Sequence, residues 1–143
     1  MSYRSLKWIL APAMLAALTA CAGMAQRRAA ADQQERARYL AYAGAPVDHF
    51  TWFGRYDGWQ ALSDSELVVF MGANGAYLLK VWSPCGTRGL PFINRIGLTH
   101  SFGGTVYARL DSVRADRWNC PISEIRPIDL KRMRQDARAA AHR

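Results

Sequence analysis

The sequence contains three cysteines, the residues whose positions most directly suggest chemistry, and the first of them follows a secretory signal. Arg4 and Lys7 supply a positive segment, and residues 8–20 form a thirteen-residue apolar run. That run is shorter than the roughly 20 apolar residues of a membrane-spanning helix, and it ends in small residues that a signal peptidase accepts. The sequence therefore predicts a cleaved signal peptide over residues 1–20, directly before Cys21.

The four residues Leu-Thr-Ala-Cys at positions 18–21 resemble the bacterial lipoprotein pattern, in which the cysteine thiol receives diacylglycerol and becomes the new N-terminus. Two or more acyl chains hold a protein stably on a membrane, whereas one chain does so only marginally. By the same resemblance, Ala22 in place of aspartate favours the outer membrane, with the domain facing the periplasm. The alternative is an ordinary signal peptide that happens to have a cysteine nearby.

Cys85 and Cys120 remain as a pair if lipid occupies the thiol of Cys21. In an oxidising compartment such a pair forms a structural disulfide, which here closes a loop of about 35 residues. A redox-active pair is the alternative, but the Cys-x-x-Cys spacing of such enzymes is missing. We therefore predict one disulfide between these two residues.

The other reactive side chains do not form a recognisable catalytic or metal-binding pattern. His49, His100 and His142 are far apart, and none has metal-ligand spacing to another histidine or a free cysteine. Asp48 beside His49 is more typical of a surface pair, and Ser101 lacks the Gly-x-Ser-x-Gly elbow. The sequence predicts no catalytic residue, no metal and no cofactor. A metal site assembled in space and an enzyme of unrecognised type remain as alternatives.

The sequence is basic, with 19 Lys and Arg against 11 Asp and Glu in 143 residues, a net charge of +8. Removing residues 1–20, with Arg4 and Lys7, leaves 123 residues with 17 basic against 11 acidic side chains, a net charge of +6. In the cytosol this would suggest nucleic acid, but a periplasmic location leaves phospholipid headgroups and anionic cell-wall polymers. A solvated basic surface is the simpler interpretation.

One segment is unusually rich in aromatic residues: Phe50, Trp52, Phe53, Tyr56 and Trp59 lie within ten residues. Exposed rings of Trp52, Tyr56 and Trp59 would form a ligand surface that stacks on sugars such as those of peptidoglycan. Aromatic side chains more commonly fill the core of a small domain, and we favour that interpretation.

Short strands and glycine turns are predicted over residues 46–129, the β domain. Asp-Gly at 57–58 and Asn-Gly at 74–75 predict two hairpins, and the apolar run 67–71 predicts a strand covered on both faces. Two prolines in residues 120–129 predict an irregular edge segment, because proline cannot donate to a central ladder. The predicted fold is mainly β (α+β), a small antiparallel barrel, roll or sandwich of about six to seven short strands with a helix at each end.

The two predicted helices flank the β domain. Strong helix formers fill residues 29–43, so residues 21–45 are predicted to be a lipidated tether that continues into an N-terminal helix ended by Gly44 and Pro46. Asp129 is positioned to cap a second helix over residues 130–143. Four of its basic residues are candidates for contact with an anionic surface: Lys131, Arg132, Arg134 and Arg138.

The motifs of the β domain resemble a family of small proteobacterial lipoproteins known only as a domain of unknown function. The matching segments are Pro46-Val47-Asp48-x-Phe50, Phe53-Gly54-Arg55 with Trp59, Asn74-x-x-Tyr77-Leu78-Leu79, Cys85, Ile96-Gly97-Leu98-Thr99, Val106-Tyr107-Ala108-Arg109-x-Asp111 and Cys120-x-Ile122-x-x-Ile125-Arg126-Pro127-x-Asp129. The resemblance implies a secreted lipoprotein with this cysteine pair and without an assigned activity. It offers no catalytic residue to carry over.

Together these features predict a membrane-anchored periplasmic lipoprotein that is non-enzymatic and serves envelope structure or acts as a binding accessory. The expected partners are the membrane, through the N-terminal lipid, and an anionic lipid, peptidoglycan or an envelope protein. Nucleic acid is not expected, and the oligomeric state is left open. The alternative function is a glycan- or peptidoglycan-binding module that uses residues 50–59.

Overall fold

The computed structural model describes residues 7–72, 75–87 and 89–142, with side chains from residue 23 onward within those ranges. This part of the chain contains two helices and eight strands, so the predicted mainly β fold with a helix at each end is confirmed, with one or two strands more than expected. The elements in chain order are α1 Lys7–Ala41, β1 His49–Thr51, β2 Gly58–Ala61, β3 Glu66–Met71, β4 Gly75–Val81, a short 3-10 helix Leu90–Phe92, β5 Ile96–Leu98, β6 Thr105–Tyr107, β7 Ser112–Ala115, β8 Trp118–Pro127 and α2 Leu130–Ala141.

The chain forms two compact units, residues 1–34 and residues 35–143. The described residues of the first unit are helical throughout and belong to α1. The predicted N-terminal helix is confirmed as far as Ala41, but α1 begins much earlier than expected, at Lys7. Alanine, methionine, glutamine and arginine, all strong helix formers, fill residues 24–31, which explains why the predicted tether is helical there.

Six strands of the second unit form one antiparallel sheet in the order β2-β3-β4-β8-β7-β5. This sheet curves into a half-barrel, and β1 and β6 pair with each other as a separate two-stranded ribbon. Tyr56, just before β2, donates a hydrogen bond from its hydroxyl to the carbonyl oxygen of Ile96 in β5, at 2.9 Å. This bond links the segment that leads into one edge strand, β2, to the other edge strand, β5.

The middle of the sheet is covered on both faces, as the apolar run of β3 predicts. Leu67 and Val69 belong to the larger core cluster, which the ribbon completes with Phe50 and Val106. Val68, between them in β3, belongs to a smaller cluster on the other face. The end of α1 and the first turn of α2 complete that smaller cluster with Tyr39, Leu130 and Met133.

The predicted irregular edge segment at residues 120–129 is wrong, because β8 lies between β4 and β7 in the interior of the sheet. The prolines are tolerated for two reasons. Pro127 is the last residue of the strand, and Pro121 lies beside a β-bulge, where the ladder is already irregular. The carbonyl oxygens of both prolines still accept backbone hydrogen bonds: that of Pro121 from the amide of Trp82 at 3.0 Å, and that of Pro127 from the amide of Gly44 at 2.8 Å.

The bulge also explains the isoleucine spacing that obscured this strand in the sequence. The register between β4 and β8 shifts at Lys80/Val81, and Ser123 is the extra residue on β8. Ile122 and Ile125 therefore point to the same face although they are three residues apart, and both are fully buried in the larger core cluster.

One of the two predicted hairpins is confirmed and the other is wrong. β3 and β4 form the hairpin predicted around residues 74–75, of which Asn74 lies outside the described residues. β1 and β2 do not pair with each other, so Asp57 and Gly58 do not form a hairpin turn between them. Instead, the amide of Asp57 donates a hydrogen bond to the carbonyl oxygen of Phe70, next to the first residue pair of the β2–β3 ladder. β1 pairs with β6, because that arrangement places Phe50 opposite Val106 in the larger core cluster.

The predicted disulfide is confirmed. Cys85 and Cys120 are bonded, with their Cα atoms 5.5 Å apart and 35 residues apart in sequence. Both cysteines are buried in the larger core cluster. The bond fastens the irregular loop that follows β4 to β8, in the interior of the sheet.

Removal of this disulfide is expected to destabilise the β domain. In the chain-entropy account a closed loop of this length contributes about 3 to 4 kcal/mol to the free energy of unfolding. We expect that loss for Cys85→Ala/Cys120→Ala, measured by urea titration in a Cys21→Ser background that keeps lipid out of the comparison. The Cys21→Ser protein with its disulfide intact is the reference. An equal free energy of unfolding for the two proteins would show that the disulfide does not contribute to the stability of the fold.

An ion pair joins the last part of α1 to the sheet. Arg36 donates from Nε and Nη2 to the two carboxylate oxygens of Glu66, the first residue of β3, and the Nη2 bond is 2.9 Å long. The side chain of Glu66 is 9% exposed and that of Arg36 is 42% exposed. The hydrogen bond from Arg36 lowers the pKa of Glu66 and outweighs burial, which acts to raise it.

The lowered pKa of Glu66 makes part of the stability depend on pH. Such a carboxylate stabilises the fold above its unfolded-state pKa, about 4.3, and this contribution is lost as the pH falls from there through the folded-state value. Below about pH 4.3 we therefore expect the free energy of unfolding of the wild type to fall more steeply than that of Glu66→Gln. Urea titrations across this range measure both slopes.

The matched control for this experiment is Glu124→Gln. Glu124 pairs with Arg126, and their side chains are 37% and 36% exposed. Because solvent-exposed ion pairs contribute little to stability, this substitution should leave the pH dependence of the wild type nearly unchanged. If the free energies of unfolding of the wild type and Glu66→Gln fell equally steeply with falling pH, the assignment of this pH dependence to Glu66 would be contradicted.

Candidate functional site

The structure separates the aromatic segment into buried and exposed rings. Phe50 and Trp52 are buried in the larger core cluster, and Tyr56 and Trp59 are half-buried against it. Trp52 is only 7% exposed, so it does not present its ring to solvent as a ligand surface would require. The core interpretation therefore holds for most of this segment.

Phe53 is the aromatic residue of this segment that faces solvent, with 80% of its surface exposed. The chain alternates through β1 and beyond it, so Phe50 and Trp52 point inward while Thr51 and Phe53 point outward. The period-two alternation of the segment was the sequence signal that could have singled out Phe53. Gly54 follows with a φ of 76°, a left-handed conformation that glycine adopts freely, and turns the chain towards β2.

Phe53 lies on a groove of about 540 Å³ between the segment after β1 and the end of the β3–β4 hairpin, here called the Phe53 groove. Arg55 and Asp57 contribute charged side chains to its lining, and Met71 and Tyr77 contribute apolar surface. Tyr77 stacks on Phe50, with ring centroids 4.4 Å apart and planes 16° apart. One wall of the groove is therefore fixed to the core.

The residues that line the Phe53 groove are better suited to a ligand with a polar ring than to a purely apolar one. An exposed phenyl ring offers a stacking face, while a guanidinium and a carboxylate offer several hydrogen-bond donors and acceptors. Arg55 forms no ion pair with any described residue, so its donors are available. This combination of an aromatic face and charged side chains is suited to binding a sugar.

The histidines and Ser101 lie in separate surroundings. The ring of His49 lies beside Tyr107, with centroids 5.2 Å apart, and His100 is exposed. Ser101 donates to the carboxylate of Asp111 at 2.7 Å, and Asp111 also accepts from the amide of Tyr107 at 2.8 Å. Asp111 is buried, so these bonds hold the turn between β6 and β7. Among the described residues no cluster of three or more histidine, cysteine, aspartate and glutamate side chains is placed to hold a metal ion.

The basic helix at the end of the chain begins as predicted. The carboxylate of Asp129 accepts a hydrogen bond from the amide of Arg132 at 2.9 Å, which caps α2. Leu130 and Met133 are buried in the smaller core cluster and orient the helix. The four predicted basic contacts are exposed to solvent: Lys131, Arg132, Arg134 and Arg138.

Cys21, the predicted site of lipidation, lies outside the residues whose side chains are described. Over the described part of the chain, no helix combines the length and the apolar character needed to cross a membrane.

Comparison with known proteins identifies a family and nothing more specific. A family model described as "Family of unknown function (DUF6491)" matches residues 4–143, which is nearly the whole chain. No curated protein and no solved structure matches the sequence. The extent of the match shows that the resemblance to a family of unknown function is correct, whereas the lipoprotein character and the bacterial source of that family remain predictions. The chain belongs to DUF6491, a family of unknown function.

Proposed function

We propose that this protein is a lipid-anchored lipoprotein of the bacterial cell envelope, held at the outer membrane by acyl chains on Cys21. Its β domain then faces the periplasm and acts as a structural or binding accessory without catalysis. The observation that carries the proposal is the combination of the lipoprotein pattern at residues 18–21 with the buried Cys85–Cys120 disulfide.

The disulfide supports an exported location because disulfides persist in oxidising compartments and are rare in a reducing cytosol. The bond also accounts for two of the three cysteines in the chain. Cys21 is then the cysteine left for other chemistry, and it follows the segment that the sequence predicts to be a signal peptide. Several acyl chains there would hold the protein on a membrane without a spanning helix.

Substitution of Cys21 by serine tests the anchor. We expect wild-type protein in the membrane fraction at its processed size, and Cys21→Ser either in the soluble fraction or as the longer, unprocessed precursor. Cell fractionation followed by gel analysis of size measures both properties. The Cys85→Ala/Cys120→Ala variant should stay with the membrane. Cys21→Ser protein of processed size that still sediments with membranes would contradict the proposal.

A contact between α2 and an anionic membrane surface fits this arrangement. Lysine and arginine close to an anionic leaflet contribute about 1 kcal/mol each to binding. Lys131, Arg134 and Arg138 follow i, i+3 and i+7 spacing and therefore lie on one side of α2. All three residues are exposed to solvent, on a side of α2 next to the one that Leu130 and Met133 bury.

Glycan binding is the second candidate function, and the exposure of Phe53 favours it. The sequence-based version of this hypothesis used Trp52, Tyr56 and Trp59, which are buried or half-buried. The Phe53 groove offers an alternative in the same segment, with an exposed ring beside Arg55 and Asp57. Peptidoglycan is the abundant glycan of the proposed compartment.

Co-sedimentation of the full-length protein with purified peptidoglycan tests this second function. We expect Phe53→Ala to weaken binding by about two- to tenfold, the usual worth of an aromatic contact. Phe102→Ala is the matched control. Phe102 is a comparably exposed phenylalanine, with 67% of its surface exposed, and it does not line the Phe53 groove. Failure of the wild type to sediment, or equal binding by Phe53→Ala and wild type, would rule out the Phe53 groove as a peptidoglycan site.

A further inference from the structure

A second groove lies beside the disulfide and is separate from the Phe53 groove. It has a volume of about 500 Å³ and is here called the disulfide-loop groove. Phe92 and Ile93 come from the segment between β4 and β5. Asp116 and Arg117 form the turn between β7 and β8, and Trp118 is the first residue of β8. The two groups are far apart in sequence. The pairing of β5 with β7 and the hydrogen bonds of Asp116 with Asn94 and Arg95 bring them together, and the Cys85–Cys120 bond ties the start of the loop to β8.

The loop side of the groove is packed tightly onto Trp118. Gly86 directly follows Cys85 and has a φ of 79°, and a Cβ added there would lie 3.1 Å from Cδ1 of the Trp118 ring. Glycine at this position therefore lets the loop approach the indole more closely than another residue would. Further along the loop, Leu90 is fully buried in the larger core cluster, just before Phe92.

The opposite side of the groove is equally fixed. Asp116 has a φ of 50°, and its carboxylate accepts hydrogen bonds from the backbone amides of Arg95 at 3.1 Å and Asn94 at 3.3 Å. The amide of Asp116 in turn donates to the carbonyl of Arg95 at 2.9 Å. Both walls are thus held before any ligand arrives, which lowers the entropic cost of binding.

Two aromatic rings remain exposed within this rigid frame. Phe92 is 64% exposed and Trp118 is 38% exposed, and both line the same groove. Single exposed apolar residues are normal on protein surfaces, but two aromatic rings in one pre-formed concavity are typical of a ligand site. The volume of the groove accommodates a ligand of one or two sugar rings.

Arg117 gives the disulfide-loop groove its charge preference. Its guanidinium carbon lies 5.6 Å from the centroid of the Trp118 ring, and it forms no ion pair with any described residue. Asp116, the acidic residue of the lining, is already engaged by two backbone amides. Arg117 is thus the charged side chain among the described lining residues that offers hydrogen-bond donors, and arginine matches a carboxylate with paired, charge-assisted hydrogen bonds.

We propose that the disulfide-loop groove binds an acidic sugar, a pyranose ring that carries a carboxylate. The sugar ring stacks against Phe92 beside Trp118, and its carboxylate accepts hydrogen bonds from Arg117. This site does not depend on the lipid anchor or on the Phe53 groove. The disulfide adds to the stability of this site, because it ties the start of the loop to β8 two residues from Trp118.

The test is a titration of the full-length protein in detergent micelles, labelled with 15N at its tryptophans and followed by NMR. The probes are N-acetylmuramic acid and its uncharged counterpart N-acetylglucosamine. The indole signal of Trp118, assigned from the spectrum of Trp118→Phe, reports on the groove. The signals of the other tryptophans report whether each variant keeps its fold.

We expect N-acetylmuramic acid to shift the Trp118 signal with a Kd about tenfold lower than that of N-acetylglucosamine, the typical effect of one charge-assisted contact. Arg117→Gln should remove this preference, and Phe92→Ala should weaken the binding of both sugars. Phe102→Ala, at an exposed phenylalanine that lines neither groove, should change neither affinity. A Trp118 signal unmoved by both sugars, or equal affinities in the wild type, would overturn the proposal. Tighter binding of an acidic dipeptide than of N-acetylmuramic acid would also overturn it and would reassign the groove to peptides.

Discussion

The covalent bond between Cys85 and Cys120 is the constraint on which the rest of this structure most depends. It ties a loop without regular secondary structure to β8, the strand that connects the two halves of the six-stranded sheet. Directly after Cys85, Gly86 lies against the ring of Trp118, which lines the disulfide-loop groove. Because disulfides of this kind persist outside the reducing cytosol, one interaction links the fold, the proposed location and a binding surface.

The surfaces available for function lie at different places on the β domain. Half of its twelve aromatic side chains lie in the core or pack against it. The exposed rings include Phe53 and Phe92, each of which lines a groove together with an arginine. On the other face of the sheet, the ends of the two helices fill the smaller core cluster, and the Arg36–Glu66 pair fastens α1 to β3. Both faces at the centre of the sheet are therefore covered by core side chains, whereas the two grooves remain accessible to solvent.

The features that the sequence predicted correctly depend on local signals. The apolar run 67–71, the cap at Asp129 and the pairing of two cysteines each need only neighbouring residues or a count. The choice of partner for β1 and the interior position of β8 depend on contacts between distant residues, and the extra residue Ser123 disrupted the periodicity that would have indicated a central strand. The disulfide-loop groove could not be predicted, because its two walls come together only in the folded chain.

The state of the three cysteines decides both the proposed anchor and the proposed location, and one experiment can determine it. We would measure the intact mass of protein purified from membranes, alkylated with and without prior reduction. The prediction is a mass equal to residues 21–143 plus acyl groups, with no alkylation before reduction and two alkyl groups after it. A chain that retains residues 1–20, carries no acyl groups and reacts through free thiols without reduction would contradict both the anchor and the proposed envelope location.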